Sequence, residues 1–408
     1  MDTHSDVTIV GGGLVGPLLA LALADHGVTV VVLDALAAKR QKDPEFDGRA
    51  YALSLTSIRL LQVLGLWATL QDHAQPILDI KVSDGRHGEG ASPLFLHFDH
   101  REIDEGPMGH MIEDRHLRRA LLDAMCKHDA ITHLDQCRVV ALDDGMVHSV
   151  GPRGGQSIHK SHLIIGCDGR QSQIAQWSGI GRTGWDYDQT SIVCAIDHDD
   201  PHAGTAHQFF TPAGPLAILP LQNNRSSIVW TEYRDVAAEI LSRDDAGFLQ
   251  ALRPVFGDFL GDIELAGGRF SYPLGLSLAT ALVGPRVALV GDAGHGIHPL
   301  AGQGLNLGVR DVAALAEVVV NARRIGEDIG AVNVLERYQR WRRFDIAALA
   351  VATDGINRIF SNDNSILRGI RDIGLGAVNR APGLRRLLIR QAAGLSGDLP
   401  KLLAGNRI

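Results

Sequence analysis

The sequence predicts an α/β protein: a Rossmann-like domain, an inserted β-sheet domain and a helical C-terminal region. Three observations predict this. Near the N-terminus a glycine-rich turn joins a short apolar strand to an apolar helix. Far down the chain, Val287–Asp311 repeats the theme, with a strand running into Gly291-Asp292 and a loop leading to a Gly302-Gln303-Gly304 helix start. Between them, from Thr190 to Tyr233, the pattern becomes short β-rich runs separated by Pro, Gly and Asn.

The N-terminal unit reads in order. Asp6–Val10 is a buried parallel strand, and Gly11-Gly12-Gly13-Leu14-Val15-Gly16 fits G-x-G-x-x-G. Pro17–His26 is a helix, with proline tolerated in its first turn and Gly27 ending it. Val28–Leu33 is a second strand, closed by Asp34. Glycines there let a backbone approach a pyrophosphate, the helix start favours its charge, and Asp34 stands where a carboxylate binds ribose hydroxyls. The spacing does not separate NAD from FAD.

Bulk properties set limits. A chain of 408 residues accommodates two domains or one large one with insertions, and 46 glycines suit close backbone approach to a ligand. The formal net charge of −8 argues against nucleic acid as the main partner. Four scattered cysteines without C-x-x-C spacing, and 18 histidines without H-E-x-x-H, predict reduced thiols and no metal site. The N-terminus MDTHSD lacks the basic region and apolar core of a signal peptide, and the longest apolar run, Leu14–Ala24, is too short to span a bilayer. A cytoplasmic protein is expected.

Other segments are ambiguous by themselves. Phe46-Asp47-Gly48-Arg49 reads as a loop, and Arg49 as either a solvated charge or a ligand contact. Glu113-Asp114-Arg115-His116 opens an amphipathic helix with Leu117, Leu121 and Leu122 on one side. His162–Gly166 is a strand ending in Cys167-Asp168-Gly169-Arg170, which is as much a turn signal as a site.

The succession GGGLVG, FDGRAYAL, EDRHLRRAL, GCDGRQS and GDAGHGIHPLAGQGLNLG resembles the single-component FAD-dependent aromatic hydroxylases of the para-hydroxybenzoate hydroxylase fold. Within them it is most similar to the ubiquinone-biosynthesis group (UbiH/UbiF/VisC/Coq6). HQFFTPAGPLAILPLQNNRSSIVWTEY, DGINRIFSNDN and GLSGDLPKLL extend the likeness over nearly the whole chain. Gly294 departs from the group, which often has Ala there.

The resemblance implies a discontinuous FAD-binding domain (1–76, 105–186, 270–330), a β-rich substrate domain (77–104, 187–269) and a C-terminal helical region (331–408). It assigns Gly11, Gly13, Leu14, Val15 and Gly16 to the FAD pyrophosphate turn and Asp34 to the ribose. Arg49 and Arg115 would hold FAD, with Val139, Asp168, Gly291 and Asp292 along the same cofactor. Pro299 would lie beside the ring system, with Gly302, Gly304, Leu305 and Asn306 at its pyrimidine edge. A helix start there has independent physical sense, because reduced flavin is negative near N1 and O2.

The implied reaction is hydroxylation of a polyprenyl phenol. NADH or NADPH reduces FAD, O2 forms a C4a-hydroperoxyflavin, and one oxygen goes to the ring. The alternatives are a related FAD oxidoreductase on another aromatic substrate, or a non-catalytic FAD-stabilised subunit of a quinone-synthesis assembly. His298 and Pro299 are the catalytic candidates; His295 and His298 read either as tuners of phenol ionisation or as loop-ordering hydrogen bonders. Leu216, Ile218 and Pro220 are the candidate substrate wall. From Ile366 to Ile408 eight Lys/Arg face two Asp/Glu. The run Leu384–Arg390 reads as a basic amphipathic helix for the inner face of an anionic membrane, for a quinone-synthesis complex, or for a homo-oligomer.

Overall fold

The computed structural model describes residues 2–86, 90–143, 145–298, 300–361, 376 and 378–408, without the side chains of 85–94 and 301. Pro299, the Asn362–Asn364 end of the DGINRIFSNDN motif and the start of the basic C-terminal stretch lie outside the described residues.

Three sheets organise the chain. The first has eight strands, in the order Val283–Gly284, Val287–Leu289, Gln156–Gly166, Thr3–Val10, Val30–Leu33, Ile131–Leu134, with the hairpin Arg138–Asp143/Met146–Val150 joined to Gln156–Gly166. Its central five strands are mutually parallel. Val7, Ile9, Val30, Val32, Leu163 and Ile165 are buried on one face and Val10, Val31, Leu33 and Ile164 on the other, as expected of strands covered on both faces.

Helices of eight or more residues are labelled α1 (Val15–Ala24), α2 (Leu55–Val63), α3 (Asp114–Lys127), α4 (Arg234–Ser242), α5 (Asp245–Phe256), α6 (Gln303–Arg324), α7 (Val332–Phe360) and α8 (Pro382–Ala392). Helix α1 is buried from Gly16 to Ala24, because the apolar run PLLALALA lies between the first sheet and α6. Helix α7 follows Ala331 and packs through Val334, Leu335, Tyr338 and Ile346, with the Tyr338 hydroxyl donating to the Leu289 carbonyl at 2.8 Å.

The second sheet has nine strands: Gly90–Asp99, Asp79–Arg86, Thr205–Thr211, Gly214–Leu221, Arg225–Tyr233, Arg182–His198, Phe270–Ala279 and His295–Gly296, with Ile263–Leu265 beside Arg182–His198. Arg182–His198 crosses the expected boundary at residue 187, and Phe270–Ala279, which begins the last FAD-binding segment, pairs along the second sheet. A continuous hydrogen-bonded ladder ignores the junction and ties the two parts together. A third, three-stranded sheet (Ala50–Ser54, Gly109–Glu113, Ala74–Ile77) was not foreseen.

The substrate wall is also corrected. Leu216 and Ile218 share a core with Trp230, Ile192, Phe248, Leu252 and Phe256, under α4 and α5. Pro220 alternates onto the same face of the strand and is buried too. The opposite face carries Leu219 and Leu221, which pack with Ile389, Ala393 and Leu395 from the α8 region. Two amphipathic helices need an apolar sheet face to cover them, and these residues supply it.

Candidate functional site

The first helix start is built by backbone crowding. Gly11 has φ +112, and a side chain there would collide with the Cys167 carbonyl; at Gly16 it would collide with the Gly11 carbonyl. Gly13 differs, with nothing within 4 Å of the place its Cβ would occupy. Leu14 is buried as the N-cap residue of α1, which has neither a side-chain cap nor an acid in its first turn. Its leading N–H groups are left for an anion. Val15 points elsewhere, packing against Gly291 and Gly308 and so joining α1 to the far end of the site.

Asp34 ends the second strand and is buried. It accepts from the Leu36 N–H at 3.0 Å and from the Gln41 amide. Gln41 was not anticipated and links two regions. It accepts from Arg118 at 3.4 Å, and Arg118 donates to buried Asp114 at 2.7 Å. Arg49 lies 2.6 Å from Asp47 and 3.4 Å from Asp114. Arg115 is committed elsewhere, to Glu113 and the Pro44 carbonyl, both at 2.7 Å. Both expected arginines thus have partners already, and Asp114, itself paired with Arg118, positions Arg49. The EDRHLR motif contained that signal, because an acid at a helix start followed four residues later by Arg is a natural ion pair. Val139 is half-buried against the Val10–Leu33–Cys137 cluster, on the Asp34 side. Asp168 accepts from the Gln173 and Ile174 N–H groups at 2.8 and 3.1 Å, and its other oxygen is buried without a partner.

The second helix start lies in a loop pinned from several sides. Gly291–Ala293 is a short 3-10 turn in which Gly291 is buried and Asp292 exposed. Arg182, unanticipated, donates to the carbonyls of Ala293 and Asp292 and to the Ser277 hydroxyl. No local pattern marked it. Gly302, at φ +63, is the N-cap residue of α6 and gives no side-chain cap. At Gly304 nothing lies within 4 Å of a Cβ position. Leu305 is half-buried against the main core.

Asn306 does not present its side chain to a ligand. Its oxygen accepts from the Ser54 N–H and the Ser57 hydroxyl, both at 2.8 Å. Its amide donates to the carbonyls of Ala52 at 2.8 Å and Gly302 at 3.2 Å. It clamps the start of α6 onto the third sheet.

The two loop histidines part company. His295 lies 2.5 Å from Asp311, which also accepts from the Gly291 N–H at 3.0 Å and Arg342 at 2.7 Å. Burial pushes Asp311 up, but His295 and Arg342 outweigh it and hold the carboxyl below its ordinary range. His295 therefore orders the loop. His298 is 0% exposed, and neither ring nitrogen has a partner among the described residues. Burial, reinforced by Arg170, pushes its imidazole down to about 4.

Uncapped starts on α1 and α6, each with an open glycine, suit a diphosphate at one end and an electron-rich ring edge at the other. A buried carboxylate at the end of the second strand suits a ribose. The residues present fit FAD. A family model described as FAD binding domain matches residues 4–351. The chain is 45% identical to the ubiquinone hydroxylase UbiL of Rhodospirillum rubrum, over 99% of this chain and 94% of that protein. It is 37% identical to the 3-demethoxyubiquinol 3-hydroxylase of Escherichia coli K12, over 96% and 99%. The crystal structure of p-nitrophenol 4-monooxygenase PnpA from Pseudomonas putida DLL-E4 shares the fold, with a TM-score of 0.78 and 21% identity, covering 97% of this chain and 99% of that one. Glycine-opened helix starts, the matched family model and full-length relatives agree: the chain belongs to the FAD-binding family of aromatic-ring monooxygenases, with the ubiquinone hydroxylases as its relatives.

Proposed function

We propose that this protein hydroxylates the aromatic ring of a polyprenyl phenol in ubiquinone biosynthesis, using NADH or NADPH and O2. The observation that carries the reading is the pair of uncapped, glycine-opened helix starts joined through Val15, alongside full-length likeness to ubiquinone hydroxylases. The chemistry FAD supplies when bound is hydride acceptance from NAD(P)H and activation of O2 for insertion of one oxygen atom. The chain's own groups bind and orient. N–H groups at the start of α1 take the diphosphate, Asp34 takes the ribose, and those at the start of α6 take the ring edge. Arg182 and the Asp311–His295–Arg342 cluster hold the intervening loop in place.

The protein lies against an anionic membrane surface, where a polyprenyl substrate resides. Among the described residues no helix is long and apolar enough to cross a membrane. On α8, Leu384 and Leu387 are 44% and 60% exposed, and Arg386 and Arg390 have no carboxylate partner among the described residues. These features support a peripheral contact. Arg385 pairs with Glu102 at 2.8 Å and is left out of the test for that reason.

The test is incubation of FAD-loaded protein with a prenylated phenol, NADH or NADPH, and O2. A product heavier by one oxygen atom, formed with matched nicotinamide oxidation, is expected. Protein that purifies without FAD affinity, or that oxidises NAD(P)H equally with no phenol present and yields no product, refutes the reading. For the membrane contact, flotation with anionic vesicles should be lost in the R386E/R390E variant; unchanged flotation refutes it.

A further inference from the structure

Among the described residues, His298 is the histidine with both ring nitrogens buried and unpartnered. Its side chain is 0% exposed, and both Nδ1 and Nε2 are enclosed without a partner. A buried donor or acceptor left unmade costs about 1–3 kcal/mol, so two on one ring call for an explanation. Three residues earlier, His295 shows what a fold-ordering histidine looks like here, with Nε2 set on Asp311. His298 has no such anchor; its ring packs T-shaped with that of Tyr187, at 5.4 Å between centroids. Tyr187 is itself fixed, its hydroxyl donating to Asp354 at 3.0 Å, an acid that also takes the Trp185 indole N–H at 3.1 Å. Tyr187 thus packs against the imidazole from a fixed position without a hydrogen bond to either nitrogen.

Burial keeps the ring neutral. Arg170 adds to it by opposing protonation, and together they outweigh Asp354, which favours it. A neutral imidazole has one N–H donor and one bare acceptor nitrogen. The edge of a flavin ring is served by the N–H groups at the start of α6. What remains is a ligand group that donates to the bare nitrogen, and a phenolic hydroxyl does so.

Resting on the proposed phenol hydroxylase function, we propose that His298 accepts the hydrogen bond of the substrate's phenolic O–H and makes the site selective for a free phenol over its ether. The proton stays shared in an O–H···N bond, with no bond broken and no change of oxidation state. The bond fixes which ring position faces the reacting centre.

The test uses the FAD-loaded full-length protein and two probes, 2-prenylphenol and its O-methyl ether. Binding is read from perturbation of the flavin absorbance without NAD(P)H, so that turnover is not involved. Wild type should bind the phenol about ten- to hundredfold more tightly than the ether. H298F, which keeps bulk but has no acceptor, should bind both alike, and H298Q should restore much of the preference. FAD content of each variant reports whether the loop still folds. Equal binding of phenol and ether by wild type, or an undiminished preference in FAD-replete H298F, overturns the assignment to His298. Binding of neither probe by wild type instead overturns the substrate class on which the assignment rests.

Discussion

The two helix starts that make the site are built in different ways. At α1 the crowding is by backbone: Gly16 is forced by the Gly11 carbonyl of its own turn, Gly11 by the Cys167 carbonyl at the end of the neighbouring strand, and Gly13 is left open. At α6 the open glycine is Gly304, but the helix start is held by contacts far away in the chain. Asn306 reaches Ala52, Ser54 and Ser57, and Asp311 gathers Gly291, His295 and Arg342. Similar anion-binding physics is therefore reached once by a motif and once by tertiary clamps. A motif can be read from a string, whereas a clamp cannot.

Substitutions can break this contrast. The largest effect is expected at Gly16→Ala, where the added methyl meets a backbone oxygen that cannot move alone; destabilisation above about 4 kcal/mol, read as loss of folded soluble protein, is the outcome. Asn306→Ala should cost about 2–4 kcal/mol in a urea melt, because the Ser54 N–H and Ala52 carbonyl lose a buried partner. An unchanged midpoint would mean that α6 is held by packing alone.

Acid should weaken the fold in part through the α6 end. The folded pKa of His298 is depressed to about 4 from an unfolded value near 6.5. The unfolded chain therefore takes up the proton first, and stability falls as pH drops from about 6.5 towards 4, by about 2–3 kcal/mol for this group. The slope between pH 7 and 4.5 should be shallower in H298F; an identical slope would assign the effect to His110 and His207, which burial also pushes down to about 4.

The smallest stability change and the clearest separation of roles come from the open glycines. Gly304→Ala fills empty space on a helix, so the fold should gain about 0.5–1 kcal/mol while FAD affinity falls about tenfold or more, as measured by titration of apoprotein. Gly13→Ala should likewise weaken FAD binding without unfolding the protein. A loss of stability at Gly304 that matched the loss of affinity would sink the distinction between packing glycines and ligand-facing ones.

The Rossmann-like half was legible because a buried strand, a glycine turn and an all-apolar helix leave little choice of structure. The strand starts at Thr3 rather than Asp6, and α1 covers Val15–Ala24 rather than Pro17–His26, shifts of the size that end fraying produces. The second sheet was legible as strands but not as faces. Leu216 and Ile218 look the same in sequence whether they meet a ligand or a helix, and only the position of α4 and α5 shows that they meet helices. Arg49 and Arg115 stood out through motifs, but Gln41 and Arg118, which tie Asp34 to Asp114 and Arg49, did not, because a hydrogen-bond chain across separate elements has no spacing.

By itself the sequence determined the α/β class, the two glycine-opened helix starts, the acid at the end of the second strand and the family. Those features follow from local rules: backbone sterics, helix dipoles and the alternation of apolar residues. Only the tertiary structure decided which glycines are crowded and which stand open, which histidine spends its hydrogen bonds on the fold, and which face of the second sheet is covered. The physical reason is that burial and hydrogen-bond satisfaction depend on what the rest of the chain brings to each group.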